Sequence, residues 1–360
     1  MSAIHFREGV VCIFGAVLIA CEDDSTMPPL PSWEAEETMV THPVEVEAED
    51  DPSLTAQEWL AVFPTRADAQ DLLDAKVSLY IPDHVSRVRG VLLFSHAGVG
   101  ESEFEHKAWR ISAANHGYGL MKIDVRDRFD RVTPWESPGQ SASLITRVFD
   151  TMARVSGHDE LKRCPLVFFG HSAGGFWITR FIPHLTERTA GFVAFHGGLE
   201  SDAFFSPPVL SIPGLFLVAE YDLPWIREDG IRLVETGRNM GARWSLVVEP
   251  NTEHSDPEPG RWLMVMFVET VINHRIPDRG NDSDHPVLLQ ALPEQAGWLG
   301  QLIHRTVYDG DEAFKHAGKE EITGAAIRPW KENERDASWL ISEAFAKSWL
   351  AFERQGISNP

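Results

Sequence analysis

The sequence predicts an α/β fold, in which a mostly parallel central sheet is covered by helices on both faces. From about residue 55, short apolar runs alternate with longer segments whose apolar residues recur at helical spacing. The runs "GVLLFSH" (90–96) and "PLVFFG" (165–170) are apolar at successive positions, as strands buried on both faces are. Strands that alternate with helices are typical of a parallel sheet.

The predicted elements follow one another in a regular order. Strands are predicted at 76–82, 90–96, 118–124, 165–169, 191–198, 214–222 and 243–250. Helices are predicted over 104–117, over 141–157, from residue 173 onward and over 261–275. Gly117 and Gly157 stand where the first two of these helices should end, because glycine readily adopts the left-handed conformation of a helix C-terminus.

The N-terminus has the pattern of an export signal. Arg7 precedes the apolar run "GVVCIFGAVLIA", which is too short for a permanent membrane span and suits the apolar core of a signal peptide. The run ends in "LIAC" (18–21), which resembles the bacterial lipobox, where cleavage leaves a lipid-bearing cysteine as the first residue. Residues 1–21 therefore predict an envelope lipoprotein anchored to a membrane through Cys21. The alternative is an ordinary signal peptide of a secreted protein.

Three further segments follow the predicted signal. Residues 22–54 contain no Lys or Arg and many acidic residues between prolines, which predicts a disordered acidic tether. Residues 55–278 form the predicted α/β domain. Residues 279–360 are expected to be a mainly helical extension packed on its core, with helices over 285–307 and 336–355 and a short strand within 319–334. The alternative is that this extension borders the active site and selects substrate.

Charge and cysteine content exclude several classes. The formal net charge is −22 and no Lys/Arg cluster is present, which argues against a nucleic-acid partner. Of the three cysteines, Cys12 and Cys21 lie in the predicted signal, so the mature chain has no partner for Cys164. Cys164 is expected to be a buried structural thiol. No Cys/His cluster has zinc spacing, and neither a metal nor a cofactor is expected.

The segment "LVFFGHSAGG" (166–175) carries the main functional pattern. Gly170, His171, Ser172 and Gly174 lie where a predicted strand ends and a helix begins at Ala173. A nucleophile elbow needs a serine in a strained turn at this junction, with glycines that let the backbones approach closely. The alternative is a glycine-rich structural turn with an incidental serine.

A serine nucleophile needs a base, and the hydrolase order places an acid and then a histidine after it. His254 follows the strand at 243–250 and is the predicted base. His274 is the nearest alternative, at the end of a helical run. The remaining histidines beyond residue 222 are His285, His304 and His316.

The predicted acid is Asp222, which closes the strand "LFLVAEYD". Glu220 lies one pleat earlier, and Asp256 is too close to His254 in sequence to come from a separate strand end. The loop "HAGVGESEF" (96–104) is expected to supply an oxyanion donor. The predicted pair is the N–H groups of Ala173 and Gly98, with Ala97 and Val99 as alternatives to Gly98.

The motifs "SHAGVG", "DVRDR", "GHSAGG", "AEYD" and "NTEH" together resemble the α/β-hydrolase superfamily over about residues 75–275. Within it the chain is similar to serine esterases of the dienelactone hydrolase and polyhydroxybutyrate-depolymerase-like groups. The resemblance implies an α/β-hydrolase fold, with Ser172, Asp222 and His254 as nucleophile, acid and base in carboxylic ester cleavage. Two positions depart from the pattern. Ala97 replaces a frequent second glycine, and Ser172 replaces the cysteine of true dienelactone hydrolases.

Two other functions remain open from the sequence. A serine peptidase resembling the prolyl-oligopeptidase type would use the same three residues on a peptide bond. A non-catalytic surface lipoprotein could retain a hydrolase fold without its chemistry. The predicted partners are an ester substrate, small or polymeric, and a membrane reached through Cys21. The sequence predicts no oligomeric state.

Overall fold

The computed structural model describes residues 39–40, 44–46, 56–64, 72–95, 97–127, 138–198, 201–254, 257–277, 287–308, 318–330 and 337–355. Residues Ala35–Pro360 form one compact unit, and all of the described residues belong to it. A second unit, Met1–Glu34, lies outside the described residues. The predicted signal peptide and Cys21 therefore stay predictions.

The core of the molecule is a central sheet of ten strands. They are β1 (Met39–Val40), β2 (Val44–Val46), β3 (Ala56–Pro64), β4 (Leu72–Pro82), β5 (Val91–Ser95), β6 (Gly119–Asp127), β7 (Leu166–His171), β8 (Thr189–Phe195), β9 (Gly214–Ala219) and β10 (Trp244–Glu249). The strand order is β1-β3-β4-β6-β5-β7-β8-β9-β10, and β2 also pairs with β3. The six strands from β6 to β10 in this order run parallel to one another. The pairs β1–β3, β2–β3, β3–β4 and β4–β6 are antiparallel.

Helices cover both faces of this sheet. They are α1 (Gly100–Glu105), α2 (Lys107–His116), α3 (Pro138–Ser156), α4 (Ala173–Phe181), α5 (Pro207–Leu210), α6 (Pro224–Asn239), α7 (Glu258–Arg275) and α8 (Glu343–Gln355). Alternate side chains of β7 enter different cores: Phe168 packs with α3, α4 and α6, and Phe169 packs with α2, α7 and α8. The predicted α/β fold class, with a mostly parallel central sheet and helices on both faces, is confirmed.

The seven predicted strands are all present, and the sheet extends further toward the N-terminus than expected. Strand β3 was not predicted, and β1 and β2 pair with it in antiparallel register. These two strands lie inside the segment predicted to be a disordered tether, so that prediction is wrong for residues 39–40 and 44–46. Their valines supply the β-branched side chains that strands favour.

The prediction of a mainly helical C-terminal extension is also wrong. Residues expected to be helical form β11 (Trp298–Tyr308), which pairs antiparallel with β12 (Gly318–Pro329) and with β13 (Ser338–Leu340). Among the described residues of the extension, α8 is the one helix longer than a single turn, and it lies within the second predicted helix. This part of the extension is thus a small three-stranded sheet followed by a helix.

The extension covers the edge of the central sheet at β10. The Leu246 N–H donates to Ser338 Oγ at 3.0 Å, and the Trp349 indole N–H donates to the Leu246 carbonyl at 2.7 Å. The Val248 N–H donates to Glu353 Oε1 at 3.1 Å. Because an edge strand presents unpaired backbone groups, these side chains complete hydrogen bonding that β10 lacks on its outer side. The predicted packing of the extension on the core agrees with this arrangement.

Within the described residues, no helix has the length and apolar content needed to cross a bilayer.

Candidate active site

Ser172 lies between the end of β7 and the start of α4, in a strained backbone conformation. Its φ is 52° and its ψ is −119°, values that a residue other than glycine rarely adopts. The turn is held because the Ser172 N–H donates to the Phe195 carbonyl at 3.0 Å, and the Phe176 N–H donates to the Ser172 carbonyl at 3.1 Å. The strain turns the serine side chain away from the sheet, as the elbow pattern predicts.

The elbow depends on the close approach of its glycines. A Cβ at Gly170 would overlap the carbonyl of Gly174, and a Cβ at Gly174 would overlap the Ser95 hydroxyl at the end of β5. Only a hydrogen side chain lets the start of α4 lie this close to the two central strands. The residue types at positions 170 and 174 are therefore explained by packing.

His254 and Asp222 meet Ser172 from neighbouring loops. His254 Nε2 lies 2.9 Å from Ser172 Oγ, and His254 Nδ1 lies 2.8 Å from Asp222 Oδ1. The Asp222 side chain is buried, and the same Oδ1 accepts the Leu223 N–H at 2.7 Å. Since a carboxylate accepts from Nδ1–H, Nε2 is the nitrogen left to accept the serine proton. The structure brings all three predicted residues together.

The competing residues lie elsewhere or serve another purpose. His274 is exposed in the last turn of α7, and His304 lies on β11. Glu220 Oε2 accepts the Asn251 N–H at 2.7 Å, which ties the loop of the acid to the loop of the base. The Tyr221 N–H, which donates to the Thr252 carbonyl at 3.0 Å, adds a second tie. Asp256, His285 and His316 lie outside the described residues.

His171 connects the predicted oxyanion loop to the base. Its Nδ1 accepts the Val99 N–H at 3.0 Å, and its Nε2 lies 2.7 Å from the His254 carbonyl oxygen. A nitrogen that accepts and a nitrogen that donates define a neutral imidazole with the proton on Nε2. Burial, with a smaller contribution from the neighbouring imidazoles of His196 and His254, lowers the pKa of His171 to about 3, although its hydrogen bond to the His254 carbonyl acts in the opposite direction. His171 is therefore an uncharged link between the two loops.

The loop after β5 is shaped for close packing against His171. Gly98 has a φ of 64°, and a Cβ there would overlap the His171 ring at Nδ1. The Val99 N–H is already used by His171, which leaves Gly98 and Ala97 as the remaining donors of the three proposed from this loop. Ala173 is the first residue of α4, so its N–H lies among the unpaired donors of the helix N-terminus. An anion is favoured at such a position.

The structure also places two residues at the site that the sequence did not single out. His196 directly follows β8 and is fully buried, and its Nδ1 lies 2.7 Å from the His254 carbonyl oxygen. Its Nε2 lies 2.5 Å from Oε2 of Glu249, the last residue of β10. A histidine at a strand's carboxyl end in "GFVAFHGG", and a glutamate inside the apolar run "SLVVEP", were the available signals.

Ring nitrogens of His171, His196 and His254 lie within 4.8 Å of one another, a grouping able to hold a metal ion. The hydrogen bonds account for this grouping, since His171 and His196 both point at the His254 carbonyl and the His254 ring faces Asp222 and Ser172. A metal would have to displace each of these contacts. The cluster therefore serves the arrangement of the base.

An apolar rim lies beside the triad. Tyr221, Leu223 and Trp225 flank Asp222 and are each close to half exposed. The Trp225 ring stacks on Phe176, with centroids 5.9 Å apart and an angle of 9° between the planes. Phe176 lies one helical turn after Ser172, so the stacked pair borders the serine.

Phe204 and Cys164 both belong to the core. Phe204 is buried and stacks on Trp244, so it does not line the site. Cys164 is buried, and burial raises the pKa of its thiol to about 11. The structure thus agrees with the prediction of a structural thiol at Cys164.

Comparisons with known proteins give only distant likenesses. No family model matches the sequence, and no curated protein is similar to it. The poly(3-hydroxybutyrate) depolymerase of Bordetella parapertussis is similar in structure over 62% of this chain and 92% of its own, with 18% identity and a TM-score of 0.39. A cold-adapted esterase from an Arctic intertidal metagenomic library covers 62% of this chain and 97% of its own (16%, TM-score 0.43). An esterase of Pyrobaculum calidifontis covers 60% and 85% (17%, TM-score 0.41).

Proposed function

We propose that the protein is a serine hydrolase that cleaves carboxylic esters through an acyl-enzyme. The observation that carries this proposal is the Ser172 Oγ at a strained elbow, 2.9 Å from a histidine whose other nitrogen meets a buried carboxylate. A serine hydroxyl is a weak nucleophile until a base takes its proton, and this arrangement supplies the base and its orientation.

The reaction follows from the positions of these groups. His254 Nε2 takes the proton from Ser172 Oγ as the oxygen attacks the ester carbonyl, and Asp222 stabilises the imidazolium that forms. The N–H groups of Ala173 and Gly98 donate to the oxyanion. His254 then gives the proton to the leaving alcohol, and the C–O bond to that alcohol breaks. Water, activated by His254, releases the acid and restores Ser172.

The apolar rim supports an ester with an apolar acyl group as the substrate. Trp225 and Phe176 offer a flat aromatic surface close to the serine, which suits apolar or extended acyl chains. A panel of p-nitrophenyl esters graded by acyl length, beside peptides with matched acyl groups, distinguishes this reading from a serine peptidase. Faster cleavage of the peptides would favour the peptidase.

The triad is tested by three variants assayed on p-nitrophenyl esters. We expect S172A and H254A each to lower kcat by about 10³-fold or more, with similar losses because the residues act as a unit. H274A is the matched control, since His274 is an exposed histidine outside the site, and it should retain wild-type kcat. Wild-type activity in S172A would refute the mechanism, and a loss in H274A alone would reassign the base.

We also propose that the protein is exported and anchored through lipid on Cys21. The apolar run after Arg7 and the "LIAC" sequence support this localisation. In a bacterial host, the wild-type chain should partition into the membrane fraction and require detergent for release, and C21S should lose that behaviour. Equal partitioning of the two proteins would contradict the anchor. A non-catalytic lipoprotein would show the same partitioning without Ser172-dependent hydrolysis.

A further inference from the structure

We propose that His196 and Glu249 form a second acid–histidine pair, which positions the catalytic base by gripping the backbone carbonyl of His254. This inference rests on the proposed function, because it concerns the same base. His196 and Glu249 are positioning residues: neither contacts Ser172, and both act through the loop that carries His254.

The carbonyl of His254 receives hydrogen bonds from two imidazoles. His171 Nε2 and His196 Nδ1 each lie 2.7 Å from the His254 oxygen. A carbonyl oxygen only accepts, so both nitrogens must carry protons. Two donors from different strand ends fix this peptide group in position and direction. The His254 ring is attached to that backbone, and its Nε2 must stay within reach of Ser172.

His196 and Glu249 share a proton. With its proton on Nδ1, a neutral His196 would present a bare lone pair on Nε2 to the carboxylate. Two acceptors would repel one another at the observed 2.5 Å, so a proton lies between them. The pair is then either imidazolium with carboxylate or neutral imidazole with carboxylic acid. Both forms have zero net charge, which suits a site where both side chains are fully buried.

The backbone and side chains next to the pair are shaped to hold it. His196 has a φ of 46°, an unusual conformation that aims its ring inward, and the ring stacks on Phe195 with centroids 3.8 Å apart. A Cβ at Gly260, in the first turn of α7, would overlap the Glu249 carboxylate. Strained backbone and a close glycine are features that persist where the surrounding structure holds them. They place the pair under the base loop.

The C-terminal extension reaches the same place. Glu353 on α8 accepts the N–H of Val248, the residue before Glu249. Burial raises the pKa of Glu353 well above its usual range, and the neighbouring Glu249 raises it further. The hydrogen bond from the Val248 N–H fixes Glu353 against the strand end from which Glu249 projects.

The test compares substitutions that keep or remove the donor to His254. Asparagine and glycine both tolerate a positive φ, so H196N and H196G differ mainly in the side-chain amide, which can occupy the place of Nδ1–H. We expect H196G to lower kcat by about 10- to 100-fold, because displacements near 1 Å have this effect, with KM changed by less than about threefold. H196N should recover most of kcat.

A second pair of variants tests Glu249 by the same logic. The Gln side chain of E249Q can donate to a neutral Nε2 and leave Nδ1–H on the His254 carbonyl, so E249Q should keep kcat close to wild type. E249L leaves Nε2 without a partner and should lose activity as H196G does. H158N is the matched control, since His158 Nδ1 also meets a glutamate, Glu160, at 2.9 Å, but away from the site.

The outcomes separate this inference from the proposed function. Loss of hydrolysis in S172A, with equal kcat in H196G and H196N at wild-type level, would overturn the inference alone. A wild-type protein without Ser172-dependent hydrolysis would overturn both. If H196G fails to fold, proton NMR of the wild type and E249Q decides. The hydrogen bond between His196 and Glu249 should give a ring-proton resonance far downfield of the amides, in addition to the one from the His254–Asp222 bond, and E249Q should lack it. A wild-type spectrum that shows only the His254 resonance would overturn the proposed pair.

Discussion

Gly98 is the residue at which the oxyanion loop and the base loop are brought into contact. Its left-handed backbone and missing side chain let the His171 ring lie against the loop and accept the Val99 N–H. The other ring nitrogen of His171 donates to the His254 carbonyl, so the same ring contacts both loops. The proposed oxyanion donors and the proposed base are thereby held in one arrangement.

Replacing Gly98 by alanine should lower kcat/KM as well as the free energy of unfolding. G157A is a matched control, because Gly157 also has a positive φ (77°) but no atom lies within 4 Å of its Cβ position. Both variants should lose about 1–2 kcal/mol of unfolding free energy from the left-handed backbone. Only G98A forces the His171 ring to move, so only G98A should lose about tenfold or more in kcat/KM. Equal kcat/KM in the two variants would show that the contact has no role.

His171 also makes folding sensitive to acid. Its pKa is about 3 in the fold, well below the usual histidine value of about 6.5, so only the unfolded chain binds a proton between these pH values. The stability that neutral His171 provides is therefore complete above about pH 6.5 and is lost progressively as pH falls toward 3. Comparing wild type with H171Q removes the contributions that the two proteins share.

The change is measured by urea unfolding of both proteins at pH 7 and pH 5. The wild type should lose about 2 kcal/mol more than H171Q over this interval, which follows from the two pKa values. The Gln side chain can still donate to the His254 carbonyl, which favours folding of the variant. An identical pH dependence would mean that His171 is charged, or freely hydrated, in the native protein.

At the scale of elements, the sequence predicted the strands of the parallel sheet because each is a short, mostly apolar run followed by a turn or a helical segment. Ser172, Asp222 and His254 were predictable for the same reason: each follows one of these strands, and the carboxyl ends of parallel strands meet at one edge. The short distances between the three residues come from this topology.

The C-terminal strands could not be predicted in this way. In β11 the apolar residues Trp298, Leu299, Leu302 and Ile303 have a spacing that suits a helix as well as a strand. The segment forms a strand because it pairs with β12 and β13, which lie further along the sequence. Gly300 is consistent with the strand, since Trp349 packs 3.0 Å from the position that a Cβ would occupy. A glycine with such a neighbour is typical of a close approach inside a strand.

His196 and Glu249 were missed for a related reason. A buried hydrogen bond joins the residue after β8 to the last residue of β10, and these two strands are separated in the sheet by β9. Neither residue belongs to a spacing motif, and only the fold shows that both lie beneath the His254 loop. A sequence can indicate which polar residues lie at strand ends. It cannot indicate which of them pair with one another.

At the scale of the whole molecule, the C-terminal extension is integral to the core of the compact unit. Trp339, Phe345 and Trp349 are buried in the same apolar core as α7, and side chains of the extension complete the edge of β10. Removal of the extension would expose both an apolar face and an unpaired strand edge. Each is a known route to aggregation.

A chain truncated after residue 280 should therefore be insoluble when expressed. The matched control ends after Gln355, where α8 ends, and it should be soluble with wild-type esterase activity. Soluble yield and the preference among acyl lengths are the measurements. A soluble 1–280 chain with altered preference would show instead that the extension selects substrate and is dispensable for folding.

We propose above all that Ser172 is a nucleophile activated by His254 and Asp222. A fluorophosphonate probe, which reacts with activated serines, tests it most directly when the adduct is located by peptide mass spectrometry. We expect one equivalent of label on the peptide that contains Ser172, no label in S172A, and much slower labelling in H254A. A wild-type protein that is not labelled, or an S172A protein labelled at the wild-type rate on another serine, would contradict the account.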